Sequence, residues 1–523
     1  MRGIHSSFAA RILAAIVTAC AAVGSAHAQG NVPVTVTIRA DQPGEVINPN
    51  VYGQFAEHLG AGIYEGVWVG EKSAIPNTNG YRNDVIEALK NLKVPVVRWP
   101  GGCFADEYHW RDGIGPREKR PVKVNTHWGG VPETNEFGTH EFMTFAEMIG
   151  TKVYISGNVG SGSPQEMADW MEYMTSDTVS TLANERRKNG RDKPWDVHFF
   201  GIGNETWGCG GNMRPEFYAD LFRQFATYIK APRGKRPKII ASGGDGDKTK
   251  WVEVLTTMVE RDMDGISHHY YTLPTGDWSK KGASTGFPEE QWISTLSRTL
   301  RIDEFIVNNV KVLDANDPKG KIGFYVDEWG TWYDPEPGRE PGFLYQQNTI
   351  RDAVVAGVNL NIFHKHARRV HMTNIAQMVN VLQAMILTDG PKMALTPTYH
   401  VFQMYIPFQG ATSLPTEITT PDYKLGDYSV PVVSASAARD TAGNLQLALT
   451  NLDPKREAVV KVNLQGATVA TAQGRMITAK TMDAHNTPAA PEVVTPVKIS
   501  GKKESGVLTV RLPAKSVSVL RLQ

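Results

Sequence analysis

Two apolar runs in this chain each end in a glutamate: Val197-His198-Phe199-Phe200-Gly201-Ile202-Gly203-Asn204-Glu205 and Ile322-Gly323-Phe324-Tyr325-Val326-Asp327-Glu328. A buried apolar strand that stops at a carboxylate sets that group on the rim of a parallel sheet. In (β/α)8 barrels that rim is where the chemistry is done. Two carboxylates arriving from different strands can act on one substrate, as glycoside cleavage requires: a proton for the leaving oxygen and stabilisation of an oxocarbenium-like transition state. A glutamate at the end of a buried strand also serves as half of a structural ion pair, so the surroundings must decide between the two roles.

The elements that would position the pair are legible as alternating apolar runs and helix-like stretches. The runs Val51–Glu57, Val94–Trp99, Val153–Asn158, Val197–Glu205, Lys238–Ser242, Gly265–Tyr271, Lys321–Glu328 and Asn359–Phe363 read as strands. Helical patterns such as Asp84–Leu89 and Pro215–Phe222 lie between them. Eight such β/α units predict a closed TIM barrel over residues 46–395. After it the pattern changes to polar turns and alternating runs, among them Leu445–Thr450, Ala458–Val462 and Val507–Leu512. Alternation of this kind predicts an antiparallel β-sandwich over 396–523. The early run Pro33–Ile38 alternates too, so residues 29–45 are expected to add a strand to that sandwich.

Charge and cysteine usage narrow the possibilities. Lys and Arg number 55 against 54 acids, a net charge of +1, with no basic run to hold nucleic acid or an anionic membrane. Residues 1–28 read as an export signal: Arg2 and Arg11, an apolar core at Ile12–Val23, and the small-x-small site Ala26-His27-Ala28. The alternative there is a lipobox at Val17-Thr18-Ala19-Cys20. The expectation is an exported protein, periplasmic or secreted. Only Cys103 and Cys209 follow the signal, too few for a disulfide framework. The reading favours two unpaired buried thiols near one another, with a bond between them left open. No metal or cofactor is expected. His364, His366 and His371 lack the spacing and acidic partners of a metal site, and no Gly-x-Ser-x-Gly elbow or phosphate loop is present.

Five segments together carry a family resemblance: Gly53-Gln54-Phe55-Ala56-Glu57-His58-Leu59-Gly60, Arg98-Trp99-Pro100-Gly101-Gly102-Cys103-Phe104-Ala105, Gly203-Asn204-Glu205-Thr206-Trp207-Gly208, Asp327-Glu328-Trp329-Gly330 and Ile375-Ala376-Gln377-Met378-Val379-Asn380-Val381. In this order they resemble the α-L-arabinofuranosidases of glycoside hydrolase family 51, in clan A. The resemblance implies that Glu205 is the acid/base, Asn204 a ligand of the sugar 2-hydroxyl and Glu328 the nucleophile. It implies that Arg98 hydrogen-bonds the nucleophile, that Glu57 and Gln377 contact arabinose, and that Cys103 lines the pocket. His269 and Tyr271 are two apart on a strand and so point the same way. Tyr271 would orient the nucleophile, with Tyr270 as its rival. Trp110, Trp207 and Trp329 are either stacking platforms or packing.

The activity implied is that of a retaining, exo-acting α-L-arabinofuranosidase, working on arabinoxylan, arabinan or arabino-oligosaccharides, and the resemblance also implies self-association into a homo-oligomer. Its two carboxyl groups should lie about 5–5.5 Å apart. The loops Arg117–Glu136 and Asp334–Tyr345 would set linkage preference. The same pair on the same barrel also suits a β-xylosidase or endoglucanase, and an inactive carbohydrate-binding protein is the non-enzymatic rival.

Overall fold

The computed structural model describes residues 30–231, 235–246, 248–259 and 262–523, so the stretch read as an export signal lies outside the described residues. Eight parallel strands close into a barrel: Gly53–Phe55, Val96–Trp99, Lys152–Gly157, Phe199–Ile202, Lys238–Asp245, Gly265–Thr272, Gly323–Thr331 and Val370–Ile375. Seven of them fall on the runs read from sequence. The eighth does not: Asn359–Phe363 lies inside the helix Ile350–Lys365, and the strand follows it at Val370–Ile375. Every residue from Ile350 to His364 is buried, so the helix has no polar face to reveal its period. Its start is marked instead by a capping box. The Thr349 hydroxyl accepts from the Arg351 N–H at 3.1 Å, and the Asp352 carboxylate accepts from the Thr349 N–H at 2.7 Å.

The barrel interior is layered by the two-residue period of its strands. Val96, Tyr154, Phe199, Ile240, Tyr325 and Met372 form one apolar layer. Two residues further along the same strands come Arg98, Ser156, Ser242, Asp327 and Asn374, a polar layer. The Tyr154 hydroxyl links the two by donating to Asp327 Oδ2 at 2.7 Å. The reactive rim therefore rests on a polar shelf that is itself seated on close-packed hydrocarbon.

A ten-stranded sheet makes up the second body. The strand Val32–Arg39 pairs parallel with Ala458–Gln465 and antiparallel with Thr416–Thr419, so the chain's early strand is built into the C-terminal sheet. That one parallel pairing departs from the purely antiparallel expectation. Val433–Arg439 packs on both Val32–Arg39 and Thr416–Thr419, which doubles the sheet back on itself. The buried helix Ile350–Lys365 lies between this sheet and the barrel, touching strands of both.

The apolar layer should carry measurable stability. Ile240→Ala, at a fully buried position, is expected to lower the unfolding free energy by about 2–5 kcal/mol. Urea denaturation of both proteins reads the difference.

Candidate active site

Arg98 leaves the apolar layer for the polar one, and its guanidinium is almost completely buried. Nη1 donates to Glu328 Oε1 at 2.7 Å, Nη2 to Asn204 Oδ1 at 2.5 Å and Nε to Ser156 Oγ at 3.1 Å. Asp327 Oδ2 lies 3.7 Å from Nε, and the Phe55 ring covers the guanidinium at 4.6 Å. Burial alone would lower the arginine's pKa. Asp327 and Glu328 outweigh it, so the group stays charged. The other oxygen of Glu328, Oε2, accepts from the Tyr271 hydroxyl at 2.8 Å. Both oxygens of this carboxylate are thus oriented by fixed donors.

Glu205 stands beyond the end of the fourth strand. Its φ is 41°, in the left-handed region that a non-glycine residue enters at a cost of about 1–3 kcal/mol. Hydrogen bonds from several directions hold it there. The Gly208 N–H donates to the Glu205 carbonyl at 2.7 Å. The buried carboxylate of Asp106 accepts from the N–H groups of Asn204, Val159 and Gly160 at 3.1, 2.9 and 2.9 Å. Burial pushes Asp106 up to about 7 even with these three donors opposing the shift. Glu205 Oε1 lies 2.8 Å from His269 Nδ1, which is also 3.4 Å from Glu328 Oε2. Burial would lower the His269 pKa, but Glu328, Asp327 and Glu205 raise it to about 10. These acids favour the protonated ring, and its Nδ1 is placed to share a proton with Glu205. One oxygen of Glu205 and one of Glu328 fall within 4.8 Å of each other.

Glu57 completes the pocket wall. Its Oε1 accepts from Gly102 N–H, Phe104 N–H and Trp128 Nε1–H at 2.9, 3.2 and 3.0 Å, and Oε2 from Gln377 Nε2–H at 2.9 Å. Gln377 Oε1 is buried with no partner among the described residues, an acceptor facing the same pocket. Burial and the charge of Glu328 push Glu57 up to about 7. The backbone can approach these carboxylates because residues 101 and 102 are glycines. A Cβ at Gly102 would stand 2.8 Å from Glu328 Oε1, and one at Gly101 2.6 Å from Glu57 Cγ.

All nine residues singled out from sequence, Glu57, Arg98, Cys103, Asn204, Glu205, His269, Tyr271, Glu328 and Gln377, meet in this one region. Tyr270 turns away, its hydroxyl donating to the Arg298 carbonyl at 2.6 Å. The tryptophans divide. Trp207 lies beside Glu205, whereas Trp110 packs on Trp170 and Tyr173, and Trp329 on Phe363 and Phe402. The aromatic walls of the pocket are Trp128 and Trp332 instead, with Leu344 beside them. Trp128 and Leu344 come from the two loops expected to set linkage preference. Asp327, buried and bonded to Tyr154 and Ser267, was also missed as a site residue. Neighbours on a regular strand face opposite ways, but the register shifts between Val326 and Trp329, and Asp327 and Glu328 both bond into the site. A roomier cavity of about 740 Å³, between Asn361–Lys365 and the sheet residues 413–437, shares none of these residues.

The cysteines correct the sequence reading. Cys103 and Cys209 are joined by a disulfide, with Cα atoms 5.5 Å apart. A low cysteine count argues against a framework but not against one local bridge, and here two short segments cross beside the site. The sulfurs of Cys209 and Cys103 lie 3.5 and 4.0 Å from Glu205 Oε2. Donor atoms of Glu205, His269 and Glu328 are close enough to converge on a cation. The positive charges of Arg98 and His269 on those same carboxylates oppose one.

Comparisons with known proteins agree with the geometry. Residues 88–285 match the α-L-arabinofuranosidase 1 domain, and residues 327–516 the α-L-arabinofuranosidase C-terminal domain. An intracellular exo-α-L-arabinofuranosidase of Bacteroides ovatus is 50% identical over 94% of this chain and 95% of its own. The crystal structure of a GH51 arabinofuranosidase from Xanthomonas axonopodis pv. citri is 55% identical with a TM-score of 0.93, covering 94% of this chain and 100% of that one. An arabinose complex of the α-L-arabinofuranosidase from Thermotoga maritima is 29% identical with a TM-score of 0.79, covering 93% and 99%. The Bacteroides relative overturns the expectation of export, because at this identity its intracellular character points away from the periplasm and the medium. An apolar stretch with a small-x-small site reads as a signal from composition alone, and composition does not establish that the stretch is used as one.

The raised pKa of Glu57 has a consequence for stability. Its carboxyl stays protonated in the folded state up to about pH 7, whereas the ordinary value is 4.5. The stabilisation this gives is fully present below pH 4.5 and is lost as pH rises through about 7. Compared with Glu57→Gln, the native protein should lose up to about 3 kcal/mol across that window and no more above it. Urea denaturation of both proteins at several pH values checks the slope.

Proposed function

The chain belongs to the family 51 α-L-arabinofuranosidases, which are retaining glycoside hydrolases, and from that premise we propose that Glu328 is its nucleophile and Glu205 its acid/base. One observation carries the reading. A carboxylate with both oxygens oriented, by Arg98 and Tyr271, has a second carboxylate oxygen within 4.8 Å. That separation supports direct attack, since inverting enzymes leave about 6.5–9.5 Å between the two for a water molecule.

In the first step a Glu328 oxygen attacks the anomeric carbon and Glu205 donates its proton to the leaving oxygen, which gives an arabinosyl ester and the free aglycone. Arg98 and Tyr271 hold the attacking group in one orientation, so little is lost to searching for the reactive geometry. In the second step Glu205 takes a proton from water as that water attacks the same carbon, and Glu328 leaves. Asn204, locked by Arg98 through its Oδ1, keeps its Nδ2 amide for the sugar 2-hydroxyl. Glu57 and Gln377 offer a linked donor–acceptor pair to the remaining ring hydroxyls.

The substrate is a terminal arabinofuranosyl residue on arabinoxylan, arabinan or an arabino-oligosaccharide. Trp128, Trp332 and Leu344 make a narrow pocket in place of an open groove, which supports removal of single end residues.

The two roles separate kinetically. Glu328→Ala should abolish hydrolysis of every arabinofuranoside. Glu205→Ala should lose about 10²–10⁴-fold on substrates with poor leaving groups and much less in the first step on an aryl arabinofuranoside, whose leaving group needs no proton. Turnover of an aryl β-D-xyloside at equal efficiency would contradict the substrate assignment.

A further inference from the structure

At the barrel end opposite the carboxylates, the strands Lys152–Gly157, Phe199–Ile202 and Lys238–Asp245 begin around a cavity of about 300 Å³. The glycosidase chemistry makes no use of it. Its lining is rich in hydrogen-bond donors and poor in acids. Lys152 and Lys238 open two of the strands, and neither has a carboxylate partner among the described residues. Lys235 and Arg236 add charge at the rim, with Arg236 paired to Asp264 at 2.9 Å. Asp196 is the one carboxylate among the described residues of the wall.

Two neutral side chains complete the donor set. Asn50 is 4% exposed. Its Oδ1 accepts from Lys152 Nζ at 3.4 Å, which leaves its Nδ2 group without a partner among the described residues in a side chain that lines the cavity. His198 Nδ1 accepts from the Val153 N–H at 3.3 Å, so the ring proton sits on Nε2 as a further donor. Burial lowers the His198 pKa against the opposing charge of Asp196, and Lys152 and Lys235 add to the downward shift. Burial and the charge of Lys238 also lower the pKa of Lys152. Two ammonium groups that share one cavity, neither ion-paired among the described residues, repel each other, and a bound anion would remove that cost.

We propose that this cavity is an oxyanion site that takes inorganic phosphate or the phosphate group of a small phosphomonoester. Two point charges and two neutral N–H donors match a dianion with several oxygens better than a carboxylate. The volume admits a phosphorylated sugar and excludes a polymer.

The test is isothermal titration calorimetry of the full chain with inorganic phosphate and, separately, with ribose 5-phosphate, against sodium chloride at matched ionic strength. Saturable binding of one or both is expected, and the one that binds identifies the source. Lys152→Met and Lys238→Gln should each weaken it about tenfold or more. Lys238 is exposed and makes no side-chain hydrogen bond among the described residues, so Lys238→Gln should fold normally and turn over arabinofuranosides like the wild type. No heat from either phosphate, an equal response to chloride, or Lys238→Gln binding as tightly as the wild type would overturn the proposal.

Discussion

A buried guanidinium between two carboxylates holds this site together. Arg98 gives its N–H groups to Glu328, Asn204 and Ser156 and lies within ion-pair distance of Asp327. It thereby joins the second, third, fourth and seventh strands of the barrel. Burying such a charge is costly unless every donor is matched, and an unmatched partner left behind costs about 3–5 kcal/mol. The barrel meets that condition by setting a polar layer of side chains two residues above an apolar one. The same layer that satisfies Arg98 aims Glu328 at the pocket, so positioning of the proposed nucleophile and satisfaction of the buried charge are one arrangement.

The two glutamates then differ through their neighbours. Glu328 receives two strong donors and sits deep in the strand. Glu205 lies past the end of its strand, in a left-handed turn held by Asp106 and the Gly208 N–H, with disulfide sulfurs on one oxygen and His269 on the other. One group is fixed for attack. The other shares a hydrogen bond with His269, whose protonated form the surrounding acids favour.

Much of this was legible in the sequence because barrel strands that end in function are short, apolar and punctuated. The runs ending at Glu205 and Glu328 stood out for that reason, and the period of two paired His269 with Tyr271 against Tyr270. The eighth strand was misread because a helix buried on every side, Ile350–Lys365, looks like a strand when only hydrophobicity is counted. Trp128, Trp332 and Asp106 were invisible for a different reason: their roles depend on loop conformation and on hydrogen bonds between segments far apart in the chain. The Cys103–Cys209 bond belongs to the same class, since only folding brings those two segments together. The N-terminal stretch shows the opposite failure, a convincing local pattern overruled by the nature of a relative half identical to this chain.

The most direct measurement is mass spectrometry of the enzyme quenched during turnover of a 2-deoxy-2-fluoro arabinofuranoside with a good leaving group, which slows breakdown of any glycosyl ester. The account predicts one fluoropentosyl adduct, on the peptide that contains Glu328. An unmodified enzyme that still turns over this substrate, or an adduct on another residue, would contradict it.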